Sequence, residues 1–370
     1  MSTTMPASPR AALRRWTTWV PPMGLLTLAA TWHRDLPILV GVLVAAVLAA
    51  SVMAAVEHAE IVAAKVGEPF GSLLLAVAVT VIEVGLIVML MTSDGSGTSS
   101  LARDTVFSAV MITCNGILGL AILAGTGKGR TGMINEEGSE AALSTVAVLA
   151  VLTLVVPRFT TSAEGPYLTN SQLVFEAVAS IVVYGVFVTT QSVRHRDFFL
   201  PLDRAGAVIE PADHAEPPRT DVALTSLGLL LCALVAVVGL AKVESPAIES
   251  AVKGVGLPES FVGVVIALLV LAPETLAARN AARRGHLQVG INLALGSAMA
   301  SIGLTIPTLA ALSPFLHTRL ELGLGNLQLV LLATTLVIGT LTVSGQRVTR
   351  LHGELHLVVL AAFVFLSMVP

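Results

Sequence analysis

The sequence predicts an all-α integral membrane protein of about eleven transmembrane helices, an extra first helix followed by two five-helix inverted repeats. Three observations lead there. Mean hydropathy is +0.86 over 370 residues, with 55% hydrophobic and 12% charged side chains, far from a soluble composition. The apolar runs are long enough to cross a bilayer core of ~30 Å. The chain also repeats one pattern of turns, apolar runs and embedded acids on either side of a single long polar break. With 4% aromatic residues and 31 glycines, a helical bundle with close helix contacts fits better than a barrel with aromatic girdles.

The first candidate helix is TTWVPPMGLLTLAATW (17–32), preceded by Arg10, Arg14 and Arg15. Basic residues before an apolar stretch are shared with signal peptides, but no small-residue cleavage site follows, so the helix is read as retained. Ten further apolar runs, bounded by charges or Gly/Pro clusters, lie near 36–62, 72–92, 104–125, 140–157, 171–191, 221–243, 260–278, 288–311, 325–344 and 352–369.

With a cytoplasmic N-terminus, the inside segments hold fifteen basic residues: Arg10, Arg14, Arg15, Lys65, Lys128, Arg130, Arg194, Arg196, Arg204, Arg219, Arg279, Arg283, Arg284, Arg347 and Arg350. Outside are the other six, Arg34, Arg103, Arg158, Lys242, Lys253 and Arg319. This asymmetry follows the positive-inside rule, placing the N-terminus in the cytoplasm and the C-terminus on the outer side of a bacterial inner membrane. The break at 192–220 is rich in proline and mixed charge and reads as a cytoplasmic linker. The expected organisation is 1–35 as N-terminal segment and first helix, 36–191 as first repeat, 192–220 as linker and 221–370 as second repeat.

The repeat itself is legible in EIVAAKVGEPFGSLLLAVAVTVIEVGLIV (60–88) and ESAVKGVGLPESFVGVVIALLVLAPETLAA (249–278). Each copy runs from a Glu to a Gly-x-Pro turn, Gly67–Pro69 or Gly256–Pro258, and on to an embedded acid, Glu83 or Glu274. A weaker echo follows in ITCNGILGLAI (112–122) and LGSAMASIGLTI (295–306). Five spans separate the copies, so they cross the membrane in opposite senses. Inverted repeats of this kind mark secondary transporters, with sites near the bilayer midplane.

An ionised carboxylate at mid-bilayer costs at least ~2.5–3.5 kcal/mol, so two such acids at equivalent places call for a role. Neither half offers a mid-span Lys or Arg partner; Arg279 stands five residues from Glu274, ~7.5 Å along a helix. Two carboxylates can be neutralised by protons or by one hard cation, and these states exclude each other. Two protons and one Ca²⁺ carry equal charge. Calcium takes six to eight oxygens, of which two carboxylates supply at most four. The rest would come from backbone carbonyls, hydroxyls, amides and water. Pro273 deletes one helical hydrogen bond and frees a carbonyl around 267–270. On the neighbouring spans the candidates are Asn115 and Ser297 first, then Ser108, Thr113, Asn292, Ser301 and Gly296. No cofactor is expected; the ions are cargo, Ca²⁺ and H⁺, with Na⁺ or K⁺ as the alternative to Ca²⁺.

These segments, AVTVIEVGLIV and VLAPETLAARNAARRGHLQVGINLALGSAMASIGLTIPT, resemble the two α-repeats of the cation/Ca²⁺ exchanger superfamily, most closely the bacterial ChaA-type calcium/proton exchangers. The resemblance spans nearly the whole chain. It implies that Glu83 and Glu274 are alternately protonated and cation-bound, and that mobile peripheral helices open the site to each side in turn. The first-half stretch SAVMITCNGILG departs from the family's small-residue pattern, which the second half keeps at Gly296–Ser297. ChaA-type members are also associated with Na⁺ and K⁺ exchange.

The remaining polar groups receive plainer readings. Cys114 and Cys232 sit in apolar runs as buried small hydrophobes. Glu57, His58 and Glu60 are expected at a solvated helix end, as are Glu244 and Glu249 on the other side, and Glu136, Glu137 and Glu140 cap a loop. Asp203, Glu210, Asp213, Glu216 and Asp221 belong to a solvated linker. A membrane-embedded enzyme would need a nucleophile or an Arg/His cluster at the depth of the acids, and none is there. A channel would not need paired protonatable groups. The expected partners are the lipid bilayer and the transported cations, with homo-oligomers allowed and nucleic acid excluded.

Overall fold

The structure is a computed structural model. It describes residues 15–32, 34, 36–67, 70–92, 99–127, 131–203, 206–209, 217–258, 260–315 and 319–369. Arg10, Arg14, Pro69, Lys128, Arg130, Arg204, Glu210, Pro211, Asp213 and Glu216 lie outside the described residues.

Among the described residues, eleven long helical segments follow one another, with a 3-10 turn at Arg196–Phe199. They are α1 (Trp16–Thr31), α2 (Ile38–Val66), α3 (Phe70–Met91), α4 (Leu101–Gly125), α5 (Glu136–Phe159), α6 (Asn170–Arg194), α7 (Thr220–Gly254), α8 (Phe261–Arg283), α9 (Leu287–Phe315), α10 (Asn326–Val343) and α11 (Arg350–Met368). Ten of these, α2 to α11, are long and apolar enough to cross a membrane. Helix α1, at 16 residues, is ~24 Å long and falls short of a full hydrocarbon core. Apart from its two ends, a helix satisfies its backbone groups within itself, which is why Ala-, Leu- and Val-rich runs take this form in lipid.

The repeat is written into the backbone. Gly67, after α2, and Gly256, after α7, occupy the same place in the two halves and both take positive φ, +78° and +74°. Only glycine adopts that conformation without steric cost, so each half turns between its first two helices by the same device. The fifth helix of each half also starts alike. Thr169 and Gln172 form a capping box at α6, and Thr349 and His352 do so at α11.

Two compact units are resolved, and each draws on both halves. The first comprises 1–95 and 212–256, hence α1, α2, α3 and α7. Within it α7 packs along α2, α1 and α3. Close approach is allowed by glycine: a Cβ on Gly24 of α1 would stand 2.8 Å from Ser51 Oγ and 2.9 Å from Ala236 Cβ. Glu57 and His58 are not at a solvated helix end. Arg15 Nη1 donates to Glu57 Oε1 at 2.5 Å, and buried His58 places Nε2 3.0 Å from Thr17 O. Helix α1 covers that end of α2, so these groups fasten the extra first helix.

The second unit comprises 96–211 and 257–370. Helix α8 packs against α4 and α9, α11 against α4, and α6 against α9. Its loops gather in two sets. Gly132–Met133 pairs antiparallel with Arg347–Val348 (β1 and β2), joining the loops before α5 and α11. In the other set, Glu321 N donates to Ser99 O, Gly323 N to Pro166 O and Leu324 N to Leu154 O. Loops can pair only on one face, so β1–β2 requires an even number of crossings from α5 to α10. There are six, in agreement with the assigned spans.

Candidate functional site

Glu83 lies in the first unit, in the middle of α3, and is 3% exposed. Its neighbours along the helix, Ile82, Val84, Leu86 and Ile87, are buried as well. Thr80, one turn earlier, is buried and donates to Ala76 O at 2.8 Å. Two residues beyond the acid, Gly85 lets α7 approach so closely that a Cβ would stand 2.5 Å from Val238 Cγ2. The carboxyl is thus set in packed protein rather than toward lipid. The same unit buries a further acid, Glu244 of α7, with no hydrogen-bond partner at Oε1.

Glu274 lies in the second unit, half-buried on α8. Helix α8 runs unbroken through Pro273, whose missing N–H leaves Leu269 O without its helical donor. The discontinuity of this half falls elsewhere, at Leu304 inside α9, between Gly303 and Thr305. Gly290 of α9 brings its helix against α8 and α4, its Cβ position lying 3.0 Å from both Ala278 O and Ala121 Cβ. Gly263 of α8 does the same against the backbone of Asp104 and Thr105, at 2.9 Å. Glu274's helix is therefore clamped between the polar helices of both halves, as small residues allow.

The predicted accessory residues fall into three groups. Ser108 and Thr113, both buried on α4, donate to Asp104 O and to Ala109 O at 2.7 Å, leaving oxygen lone pairs over. Ser108 lines a cavity of about 250 Å³ with Asp104, Ser260, Gln328 and Ser367. Ser297 and Gly296 are half-buried on α9, with nothing within 4 Å of a Cβ on Gly296, and Ser301 is buried.

Asn115 and Asn292 are engaged more fully. Asn115 is wholly buried in a π-helical turn, Ile112–Ile117. Thr335 spends its hydroxyl proton on Leu331 O, so it accepts from Asn115 Nδ2 at 2.9 Å. His356 Nδ1 then donates to Asn115 Oδ1 at 3.2 Å, and His356 Nε2 accepts from Thr342 at 3.0 Å. Asn292 accepts from Gln288 Nε2 at 2.9 Å and donates to Phe199 O at 2.6 Å, tying α9 to the segment after α6.

Sequence reasoning passed over the π turn, the His356 network and the cluster around Asp104. Asp104 accepts from Ser100, Arg103 and Gln328, while Arg103 also pairs with Glu321. Another buried acid within a span, Glu176 of α6, was passed over too. Its signal was available: a Glu inside an apolar run, as at Glu83 and Glu274. Among the described residues no group of three His, Cys, Asp or Glu side chains converges to hold a metal.

Known proteins resemble this chain along most of its length. Residues 36–193 and 225–369 match the family described as sodium/calcium exchanger protein, leaving α1 and the linker outside both matched segments. A Sinorhizobium fredii relative, y4hA, is 43% identical over 358 residues, 96% of each chain. The Escherichia coli sodium-potassium/proton antiporter ChaA is 30% identical over 333 residues, 90% of each chain. Among solved structures, the H⁺/Ca²⁺ exchanger CAX shares the fold with a TM-score of 0.67 at 15% identity, covering 95% of this chain and 91% of that one. The chain belongs to the sodium/calcium exchanger protein family.

Proposed function

We propose that the chain is a secondary active cation/proton antiporter that exchanges Ca²⁺ for H⁺ by alternating access. Glu83 and Glu274 take up either protons or the cation, so that the pair stays neutralised throughout the cycle. The observation that carries this reading is the equivalent placement of the two acids, each on the helix that follows a positive-φ glycine turn, Gly67 or Gly256. Ser297 and Asn115 stand next as ligands, Asn115 once its Oδ1 turns from His356, with Ser108, Thr113, Asn292, Ser301, Gly296 and the carbonyl freed by Pro273 behind them. No covalent chemistry is assigned to the chain.

The halves 36–191 and 221–370 act as the inverted repeats about the 192–220 linker, in a bacterial inner membrane with the N-terminus cytoplasmic. A monovalent Na⁺ or K⁺/H⁺ antiport is the second reading, favoured by the 30% identity to ChaA, whose name specifies those ions.

Everted vesicles carrying a proton gradient, given Ca²⁺, Na⁺ or K⁺ separately, decide between the readings. Gradient dissipation coupled to Ca²⁺ uptake is expected. Dissipation by a monovalent ion with Ca²⁺ silent would replace calcium, and dissipation by none would reject antiport. Glu83→Gln and Glu274→Gln should each abolish exchange with the protein still in the membrane; coupled exchange retained in both would reject the site.

A further inference from the structure

Glu176 is a second kind of intramembrane acid. It lies seven residues into α6, is 4% exposed, and its Oε2 has no hydrogen-bond partner. Ser180, one turn on and on the same side of the helix, is wholly buried, and its hydroxyl has no partner either. The buried hydroxyls of Thr17 and Thr105 share this state, but neither has an acid without a partner one turn away on its own helix. Thr80, Ser108, Thr153 and Thr335 each donate to the carbonyl four residues back. Ser180 could do the same and does not, so two oxygens without partners stand one turn apart inside packed protein.

Among the described residues, the helices packed against α6 place no counter-charge at the depth of the carboxyl; the nearest charges beyond them, Glu164 and Arg319, line the cleft at the start of α6. Helix α6 packs against α9 and α5. Helix α9 has no charged side chain from Leu287 to Phe315, and α5 has none from 141 to 155. Helix α5 carries Glu136, Glu137 and Glu140 at its far end and the exposed Arg158 at its near end. On α6 and just past it, Tyr184 is buried, and Arg194, Arg196 and Asp197 lie 18 or more residues away, ~27 Å along a helix. This packing accommodates the neutral acid, since an uncompensated carboxylate there would meet the penalty for buried charge.

A cleft opens one turn of α6 before the acid, without reaching it. The cleft, of about 650 Å³, is lined by Glu164, Thr169, Asn170, Leu173, Ser313 and Arg319. Leu173 sits three residues before Glu176, on the same side of α6. Beyond Ser180, Tyr184 touches the break in α9, where a Cβ on Gly303 would lie 3.0 Å from Tyr184 Cβ. Pro307 has no N–H to donate back to Gly303 O, so the break adds a carbonyl without its helical donor. The register is also shared between the halves. Glu176 follows its capping Thr169 by seven residues, and wholly buried His356 follows Thr349 by seven. An inward-facing polar side chain at this place thus recurs in both fifth helices.

We propose that Glu176 and Ser180 form a proton-binding site, separate from Glu83 and Glu274, supplied from one membrane face through this cleft. When the carboxyl is protonated, a turn of its side chain toward the next helical turn lets its O–H donate to Ser180 Oγ, a bond not made in the arrangement described above. On release, the carboxyl O–H bond breaks, a new O–H bond forms on a water of the cleft to give hydronium, and the Ser180 hydroxyl turns to donate to the carboxylate. Proton occupancy sets the packing of α6 on the break in α9, and through it the pH dependence of exchange. That role rests on the cation/proton reading, but the proton site does not need transport to be observed.

The test is infrared spectroscopy of the full-length protein in lipid vesicles, titrated from acid to alkaline pH and read at the carbonyl stretch of protonated carboxyls. A component that persists in the Glu83→Gln/Glu274→Gln double variant and is missing from Glu176→Gln is expected. Ser180→Ala should move the midpoint of that component on the order of tenfold in proton concentration. Spectra of Glu176→Gln matching the unmodified protein throughout would overturn the site. Should Glu176→Gln not assemble, an unmoved midpoint in Ser180→Ala overturns it instead. In everted vesicles Glu176→Gln should keep exchange while its pH profile shifts by a similar factor, and an unshifted profile would reject the coupling to transport. If the unmodified protein shows the infrared component but no exchange, the antiport reading falls and the proton site stands.

Discussion

The Asn115–His356 bond is the place where packing energy and the candidate site meet, and its strength can be worked out. Replacing Asn115 by Ala removes two hydrogen bonds, one to Thr335 and one from His356. Side-chain hydrogen bonds between membrane helices average ~0.6 kcal/mol and reach ~1.7, so the pair contributes about 1–3 kcal/mol. Thr335 keeps its bond to Leu331 O and His356 keeps the Cys114 backbone as an acceptor, so neither partner is stranded and the total falls toward the lower end. His356→Ala should cost a similar amount, through Asn115 Oδ1 and Thr342. Because both changes delete the same bond, the double variant should be more stable than their sum by about 0.6–1.7 kcal/mol. Reversible unfolding in mixed micelles measures all four corners of the cycle. Additivity within ~0.3 kcal/mol would show that the two side chains are not bonded, and would refute the assigned proton positions.

Other consequences are open to direct measurement. Gly67→Ala and Gly256→Ala should each destabilise by about 1–2 kcal/mol, and by nearly equal amounts, because both positions have positive φ and open space around them. Unequal losses in the same unfolding assay would argue that the turns are not equivalent. Gly263→Ala should cost about 1–3 kcal/mol, since the new Cβ meets Asp104 and Thr105 backbone at 2.9 Å. Gly228→Ala, with nothing within 4 Å, should instead be neutral or stabilise by up to ~1 kcal/mol. The same sign for both changes would contradict the close approach of α8 to α4.

Much of the fold was legible because lipid leaves the chain few choices. Among the described residues, hydropathy located all ten helices long enough to span, although it also counted the shorter α1 as an eleventh, and the positions of Gly67 and Gly256 foretold the paired turns. Ends were harder to place. Helix α7 runs 35 residues to Gly254, past the apolar stop at Val243, because its polar end is packed: Glu244 and Ser245 are buried. The π turn at Asn115 left no trace, since ITCNGI has the composition of an ordinary apolar helix and the bulge comes from packing. Likewise, nothing local marks His58 as buried; it is covered by α1, more than forty residues away in sequence. The embedded acids stood out one by one. Their neighbours did not, because a hydroxyl or amide in a span serves helix contacts as readily as ion binding.

The most direct test of proton–cation competition at the two carboxylates is the proton count on cation binding. Ca²⁺ is added to the purified protein in weakly buffered detergent solution and the released protons are titrated; binding to protonated carboxyls must release them. Competition at Glu83 and Glu274 predicts about two protons per bound Ca²⁺ from the unmodified protein, fewer from either Gln variant, and none from the double variant. Ca²⁺ binding without proton release, or the same release from the double variant, would contradict it.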